Sequence, residues 1–466
     1  MRGWRPALAV VLLGLAPVAH GQAGDGLEPI LASLPTGARI GLIAIDETGA
    51  VVAARNADAR MVPASTTKLF TTAAALALLP ATDQPDTTGG ARVSLEGRAD
   101  RPDVVLRGHG DARLSSAPDC AVDCLATLAD AVAAHTHQVG AVIGDDRAMA
   151  DERWPSGMSW DNMATPSGTA ISALTLDDNI AVAAIDATAA GTADSPARIT
   201  PPAGLTISGT VRIGTGDQPA LTRHTLPGSD AWRIDGVVPA GKTWHIPLAL
   251  ADPAARAAWV LRGMLVARGV TVRGSTLARH RDGPAPTEPP VLARLMPPPL
   301  REDVALTLRQ SQNLHAELLL RRLAASGTVA DGITARMAAL QAAGLPPGSV
   351  SLYDGSGMST YNRVTPRALA LLLRWGQAQP WGSDWITGFP VAGQTGTLKA
   401  RLKGTPLEGR LRAKTGTLLG TQALAGFLPT AAGHTLAFAV LVNDLPDGTS
   451  ATPVVDALLL ALAAQH

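Results

Sequence analysis

Pro63-Ala64-Ser65-Thr66-Thr67-Lys68-Leu69-Phe70 opens a helix that continues through an alanine-rich stretch to Leu79, where Pro80 stops it. Ser65 and Lys68 stand three positions apart, so one helical turn stacks them on a single face and the amine can reach the hydroxyl. In isolation the pattern is ordinary, because a serine at a helix start followed by a surface lysine produces the same letters. Composition gives this lysine more weight. Of the 39 basic residues only Lys68, Lys242, Lys399, Lys403 and Lys414 are lysines, so the chain places Arg wherever a plain surface cation will serve. Arg cannot stand in where the amine must lose its proton.

Just before this helix, Arg39 to Asp46 and Val51 to Asn56 flank Glu47-Thr48-Gly49 and predict a β-hairpin. At the far end of the chain, Arg410 to Lys414, Gln422 to Leu428 and Thr435 to Val442 read as consecutive strands, with a last helix from Pro453 to Ala464. Residues 86–289 differ in character. Short strand-like runs (Val104 to Arg107, Ala141 to Ile143, Leu205 to Ile213) lie among Gly, Pro, Asp and Thr clusters, with one helix-like segment, Pro253 to Arg268, between them. Pro284 to Pro299 reads as a linker. From Leu300 to Ala325 the spacing is helical again, with a polar break at Gln310-Ser311-Gln312-Asn313. The fold expected is α+β: an antiparallel sheet covered by helices, assembled from residues 24–85 and 290–466. Around it sits a large, mainly β insertion, 86–289, forming one or two extra lobes. A length of 466 residues, beyond one ordinary domain, agrees.

Two further elements share the chemistry of the first. Ser311-Gln312-Asn313 sits in the break between helices, and if the break is extended its outer side chains point the same way. A hydroxyl and an amide there can relay a proton and hold a carbonyl, although polar residues also punctuate helices without any such role. Lys414-Thr415-Gly416-Thr417 lies at a strand end. Gly leaves room for another backbone to approach, and a strand edge can pair with an extended peptide whose carboxylate Lys and Thr would bind. A strand ending in a Thr-Gly turn is common as well. Co-occurrence decides the matter, because all three arising by chance has a probability on the order of a few per thousand. They also fall on a helix start, an inter-helix break and a strand end that were assigned from other residues.

The set S-x-x-K, S-x-N and K-T-G resembles the signature of penicillin-binding proteins and serine β-lactamases. In most of these the first two elements are close together, whereas Lys68 and Ser311 lie 243 positions apart. A long insertion there resembles the class C low-molecular-mass penicillin-binding proteins, the S13 family of D-Ala-D-Ala carboxypeptidases and endopeptidases. Further stretches are similar to that family: Gly110-Asp111, Asp145-Asp146, Trp160-Asp161, Ser172-Ala173-Leu174, Asp354-Gly355-Ser356-Gly357, Asn362-Arg363-Val364-Thr365-Pro366 and Gly426-Phe427-Leu428. The resemblance implies a β-lactamase/transpeptidase-like catalytic domain acting on peptidoglycan stem peptides and inhibited by β-lactam antibiotics. No metal and no cofactor are expected.

Serine at its free pKa is a poor nucleophile and no G-x-S-x-G elbow is present, so Lys68 is expected to activate Ser65, with burial and the charge of Lys414 lowering its pKa. The resemblance implies an oxyanion hole from the backbone N–H groups of Ser65 and Thr417. It further implies proton relay by Ser311, a hold on the substrate amide by Asn313, and binding of the terminal carboxylate by Lys414, Thr415 and Thr417 beside Gly416. At one place the chain departs from its relatives. Those that recognise the free end of a diaminopimelate side chain use, as the resemblance implies, an acid in a Trp-Asp-Asp run (a place that Asp161 fills if the register slips by one), an aromatic a few residues later and an Arg directly after the Asp-Gly-Ser-Gly-Leu-Ser turn. Here Asn162, Ser167 and Thr360 stand at those places.

The ends and the overall charge bound the remaining possibilities. Arg2 and Arg5, an apolar run from Ala7 to Ala19 and small residues around Gly21 and Ala23 read as a signal peptide over residues 1–23. The run is shorter than the roughly 18 to 20 apolar residues of a spanning helix. The expectation is a protein exported to the periplasm or the exterior, with no transmembrane anchor. Lys plus Arg equals Asp plus Glu at 39 each, so long-range attraction to nucleic acid is excluded. Cys120 and Cys124 are the only cysteines, and an oxidising compartment permits a bridge across a short, demanding loop. Gly236 to Thr243, GVVPAGKT, matches the phosphate-loop pattern, but Trp244-His245-Ile246-Pro247 reads as extended chain where that loop needs a helix. The remaining rivals are a β-lactamase, which differs in the speed of deacylation, and a wall-binding protein that keeps the pocket without turnover.

Overall fold

The computed structural model describes residues 26–188, 194–226 and 228–466. The expected signal peptide lies outside the described residues. A five-stranded antiparallel sheet organises the catalytic part: β1 (Arg39–Ile45), β2 (Val51–Arg55), β3 (Arg412–Leu418), β4 (Thr421–Pro429) and β5 (Thr435–Asn443), in the order β3-β4-β5-β1-β2. β1 pairs with β5 from Arg39↔Asn443 to Ile45↔Ala437, which joins the two ends of the chain. Both faces of these strands are covered, so β5 is apolar along nearly its whole length. Alternate residues divide between two cores. Ile43, Ile45, Ala439 and Leu441 face the helices, whereas Leu42, Ala44, Phe438 and Val440 meet the C-terminal helix α6 (Thr452–Gln465) at Leu458, Leu459 and Leu462.

On the first face lies α1 (Thr67–Leu78), surrounded by α2 (Leu300–Gln310), α3 (Asn313–Arg322), α4 (Val329–Ala339) and α5 (Pro366–Gln377). Residues Thr67 to Leu76 of α1 are all buried. Its alanines let four neighbours close in, and that enclosure takes Lys68 out of water. α2 and α3 meet at the polar break, which is not extended throughout. Ser311 caps α2 in the left-handed region (φ 62°), Gln312 is extended, and Asn313 already begins α3.

The insertion forms two lobes. In the first, Thr276–Arg279, Val142–Asp145, Arg101–Arg107, Arg92–Arg98 and Ala293–Arg294 make a five-stranded mixed sheet under two helices, Leu125–His135 and Pro253–Ala267. The Leu125–His135 helix was not foreseen, although Leu125, Leu128, Ala129 and Val132 carry the helical spacing on its buried face. Ala293–Arg294 supplies an edge strand from within the Pro-rich stretch expected to be a linker. The second lobe packs a four-stranded and a three-stranded sheet around Trp232, Ile234, Ile185 and Leu248. The run from Leu205 to Ile213 is two strands, broken at Gly209, where φ is +106° and a Cβ would strike the carbonyl oxygen of Ile234. GVVPAGKT joins strands Ala231–Pro239 and Thr243–Ala249, with no helix after Lys242. Cys120 and Cys124 are bridged. Among the described residues no helix is long and apolar enough to cross a membrane.

Candidate active site

A single 3₁₀ turn, Ala64–Thr66, leads into α1, and Ala64 within it adopts φ +47°. Two glycines hold this unusual turn. A Cβ on Gly357 would lie 2.0 Å from the Ala64 carbonyl oxygen, and one on Gly416 would lie 2.7 Å from that of Pro63. The Asp354-Gly-Ser-Gly turn and the Lys-Thr-Gly strand therefore clamp the Ser65 backbone from two sides. Ser65 is half-buried and opens onto a cleft of about 1010 Å³.

Lys68 is completely buried beneath it. Its Nζ lies 2.9 Å from Ser65 Oγ, 2.6 Å from Asn313 Oδ1 and 2.7 Å from the Ser356 carbonyl oxygen. The last two are acceptors only. Asn313 Nδ2 donates to the Ser167 carbonyl oxygen (2.8 Å), which turns Oδ1 toward the amine. A neutral amine has two hydrogens, and these two oxygens take both, leaving the lone pair for the Ser65 hydroxyl. Burial lowers the Lys68 pKa to about 7, against the opposing pull of Asp354 and Glu317.

Lys414 on β3 is buried as completely and donates to Ser311 Oγ (2.8 Å) and to the Thr415 carbonyl oxygen (2.7 Å). Burial, and then the charge of Lys68, hold it well below the usual lysine range. Burial is the first cause at both amines, and the two like charges disfavour one another, as the effect of Lys68 on Lys414 records. Thr415 Oγ1 donates to Thr397 Oγ1 (2.7 Å), and Thr417 is exposed in the cleft. β3 is an edge strand. The Val391 segment bridges to it at Arg412, and among the described residues no strand covers the edge from Thr415 onward.

All the residues singled out from sequence converge here. Ser65, Ser311, Asn313, Thr415 and Thr417 line the cleft, while Lys68, Lys414 and Gly416 form its buried floor. Asp161, Asn162, Ser167 and Thr360 are on its wall, as is Arg363, which sequence reading had not assigned. Arg363 Nη1 donates to the carbonyl oxygens of Thr360 and Asn362, both at 2.8 Å. Also missed was the Ser356 carbonyl, a main-chain group that no side-chain letter announces.

A half-buried serine facing a buried lysine amine, on a helix packed against an antiparallel sheet whose edge carries Lys-Thr-Gly, defines the penicillin-interacting class of serine enzymes. Within that class the chain belongs to the D-Ala-D-Ala carboxypeptidase 3 (S13) family, whose model matches residues 25–465. It is similar to a D-alanyl-D-alanine carboxypeptidase of Actinomadura sp. (strain R39), 30% identical over 496 residues that cover 98% of this chain and 89% of that one. In fold it is similar to the crystal structure of penicillin binding protein 4 of Haemophilus influenzae, with TM-score 0.79 and 23% identity over 94% of this chain and 98% of that chain. The structure of that protein complexed with a β-lactam gives a TM-score of 0.74 at the same identity and coverage. The activity of the chain is that of a penicillin-binding, serine-type D-Ala-D-Ala carboxypeptidase.

Proposed function

We propose that the reaction runs through an acyl-enzyme on Ser65, with neutral Lys68 as the base. The observation that carries this reading is the Lys68 amine, whose two hydrogens are taken by Asn313 and Ser356 so that its lone pair meets Ser65 Oγ. Lys68 accepts the hydroxyl proton as Oγ attacks the carbonyl of the penultimate D-Ala. The backbone N–H groups of Ser65 and Thr417 stabilise the developing oxyanion. Ser311, held by Lys414, relays that proton to the leaving amine, the C–N bond breaks, and water then hydrolyses the ester and restores the Ser65 hydroxyl. Lys414, Thr415 and Thr417 bind the terminal carboxylate beside Gly416, where the open edge of β3 receives the substrate backbone. Asn313 holds the substrate amide by exchanging its bond to Ser167.

The natural partners in this reading are peptidoglycan stem peptides, met outside the cytoplasm after loss of residues 1–23. β-Lactams enter as mimics and remain on Ser65. Residues 24–85 and 290–466 form the catalytic unit and 86–289 the inserted lobes. Ser65→Ala is the test, with intact mass and digestion after penicillin treatment, and D-Ala release from a pentapeptide. Loss of label and of turnover with unfolding unchanged is expected. An adduct on another serine overturns the reading, and rapid loss of the label would favour a β-lactamase.

A further inference from the structure

Four ionisable side chains are buried under the cleft floor, none more than 2% exposed: Glu317 and Arg321 on α3, Arg336 on α4, and Asp354 in the turn that follows. Glu317 Oε1 accepts the N–H groups of Gly355 and Ser356, both at 2.9 Å. Asp354 Oδ1 accepts the N–H of Gly357 (3.0 Å) and Asn362 Nδ2 (2.7 Å), while Oδ2 accepts the N–H of Ser359 (2.7 Å). Arg336 Nη1 donates to the Asp354 carbonyl oxygen (2.6 Å), and Arg321 Nη1 reaches Glu317 Oε2 at 3.4 Å. One peptide group is held at both ends. The N–H between Ser356 and Gly357 points at the Asp354 carboxylate, and its C=O receives the Lys68 amine at 2.7 Å.

We propose that Asp354 and Glu317 are positioning residues that act on Lys68 through the peptide groups of the Gly355-Ser356-Gly357 turn, and so set the acid limit of acylation. This rests on the reading of Lys68 as the base. A peptide whose N–H is bonded to a carboxylate is polarised, and its carbonyl becomes a stronger acceptor in a low-dielectric interior. The same carbonyl then receives the ammonium that forms when Ser65 gives up its proton.

The surrounding charges set the balance. Among the charges around Lys68, Glu317 on α3 and Asp354 in the turn draw its proton, Lys414 on β3 feels its charge, and Arg321 and Arg336 act on the two acids. Burial makes the Lys68 proton easy to lose, and the two arginines offset the two acids beside it. The acids still draw that proton, in accord with a Lys68 pKa of about 7 rather than a far lower one.

Removing charges of opposite sign separates this role from simple support. Glu317→Gln keeps the Oε1 acceptor and removes a negative charge, so the acid limb of Ser65 acylation by a fluorescent penicillin should move to lower pH by about one unit. Arg336→Gln leaves the acids in excess and should move the limb to higher pH by a similar amount, and Arg336→Lys should restore it. Thermal unfolding of each variant runs alongside. Shifts in one direction for both, or no shift with Ser65 still labelled, overturn the inference. Should Arg336→Gln not fold, the sign of the Glu317→Gln shift decides alone. If the wild-type enzyme carries no adduct on Ser65, the failure belongs to the base reading and not to the charge cluster.

Discussion

Lys68→Arg keeps a cation under Ser65 and removes only the ability to lose a proton, so it isolates the base. The size of the effect follows from the protein's own interior. Lys68 is lowered to about 7 by burial, and about half of it is neutral near pH 7. Arg336, buried as completely in the same core, is lowered only to about 10 by the same cause. An Arg at position 68 would hold its proton more firmly than Lys68 does, so almost none of it would be neutral at pH 7. The second-order rate of penicillin acylation should fall by about two orders of magnitude or more, as loss of a general base implies. The assay is stopped-time labelling with a fluorescent penicillin, quantified on the intact protein, with unfolding measured in parallel. Acylation within about threefold of wild type at neutral pH would remove Lys68 from the role of base, since no guanidinium in this interior supplies enough neutral form.

Other consequences are as specific. Gly357→Ala places a Cβ 2.0 Å from the Ala64 carbonyl oxygen at a residue with φ +89°; a loss of about 2 kcal/mol or more in stability is expected, with labelling impaired beyond it because the Ser65 turn must shift. Unchanged acylation in that variant would show the clamp to be irrelevant. His315 is buried between Asp303 (2.5 Å) and Asp178 (2.9 Å), and although burial opposes its charge, the two carboxylates raise its pKa to about 10. A folded pKa above the unfolded one of about 6.5 gives stability that is full below about pH 6.5 and lost toward pH 10. Urea unfolding of wild type and His315→Asn should therefore converge as pH rises, and a constant gap between them would refute the assignment. With Asn162, Ser167 and Thr360 on the cleft wall, D-Ala release should favour a diaminopimelate peptide over a lysine peptide by less than about a hundredfold, given about 1.5 to 3 kcal/mol per missing charged contact. A larger preference would mean that Asp161 and Arg363 do the work of the missing groups.

The parts of the fold that were legible in the sequence are those where one residue type has one reason to be there. β1 and β5 alternate between two cores, and α1 is alanine-rich because four helices crowd it, so both could be read from spacing and size. That Ser65, Lys68, Ser311, Asn313 and Lys414 meet in one place was legible because few side chains suit the chemistry proposed for them. What escaped depends on main chain or on burial. The left-handed Ser311 has no glycine to announce it, and the Ser356 carbonyl belongs to no side chain. Glu317 left a faint signal as an acid one turn after Asn313 on α3, yet only its complete burial distinguishes it from a surface residue.

Sequence treats the inserted lobes as an interruption, but their contacts make them part of the site. The Ser167 carbonyl orients the Asn313 amide, and with it the amine of Lys68. Asp178 reaches across to His315 on α3 and to Gln312 beside Ser311 (3.4 Å), and the Gly157 carbonyl receives the N–H of Thr360 (2.9 Å). Asp161, Asn162 and Ser167 then line the same cleft as β3. Ser65, the two lysines and the strand edge all belong to the helices and sheet built from the chain ends, so in the proposed reaction a change confined to the lobe wall should alter which peptide is accepted before it alters acylation. Ser167 is the exception within that wall. Its backbone, rather than its side chain, holds Asn313, so Ser167→Ala leaves that bond intact, whereas a shift of the Pro166–Gly168 turn would pass through Asn313 to the base.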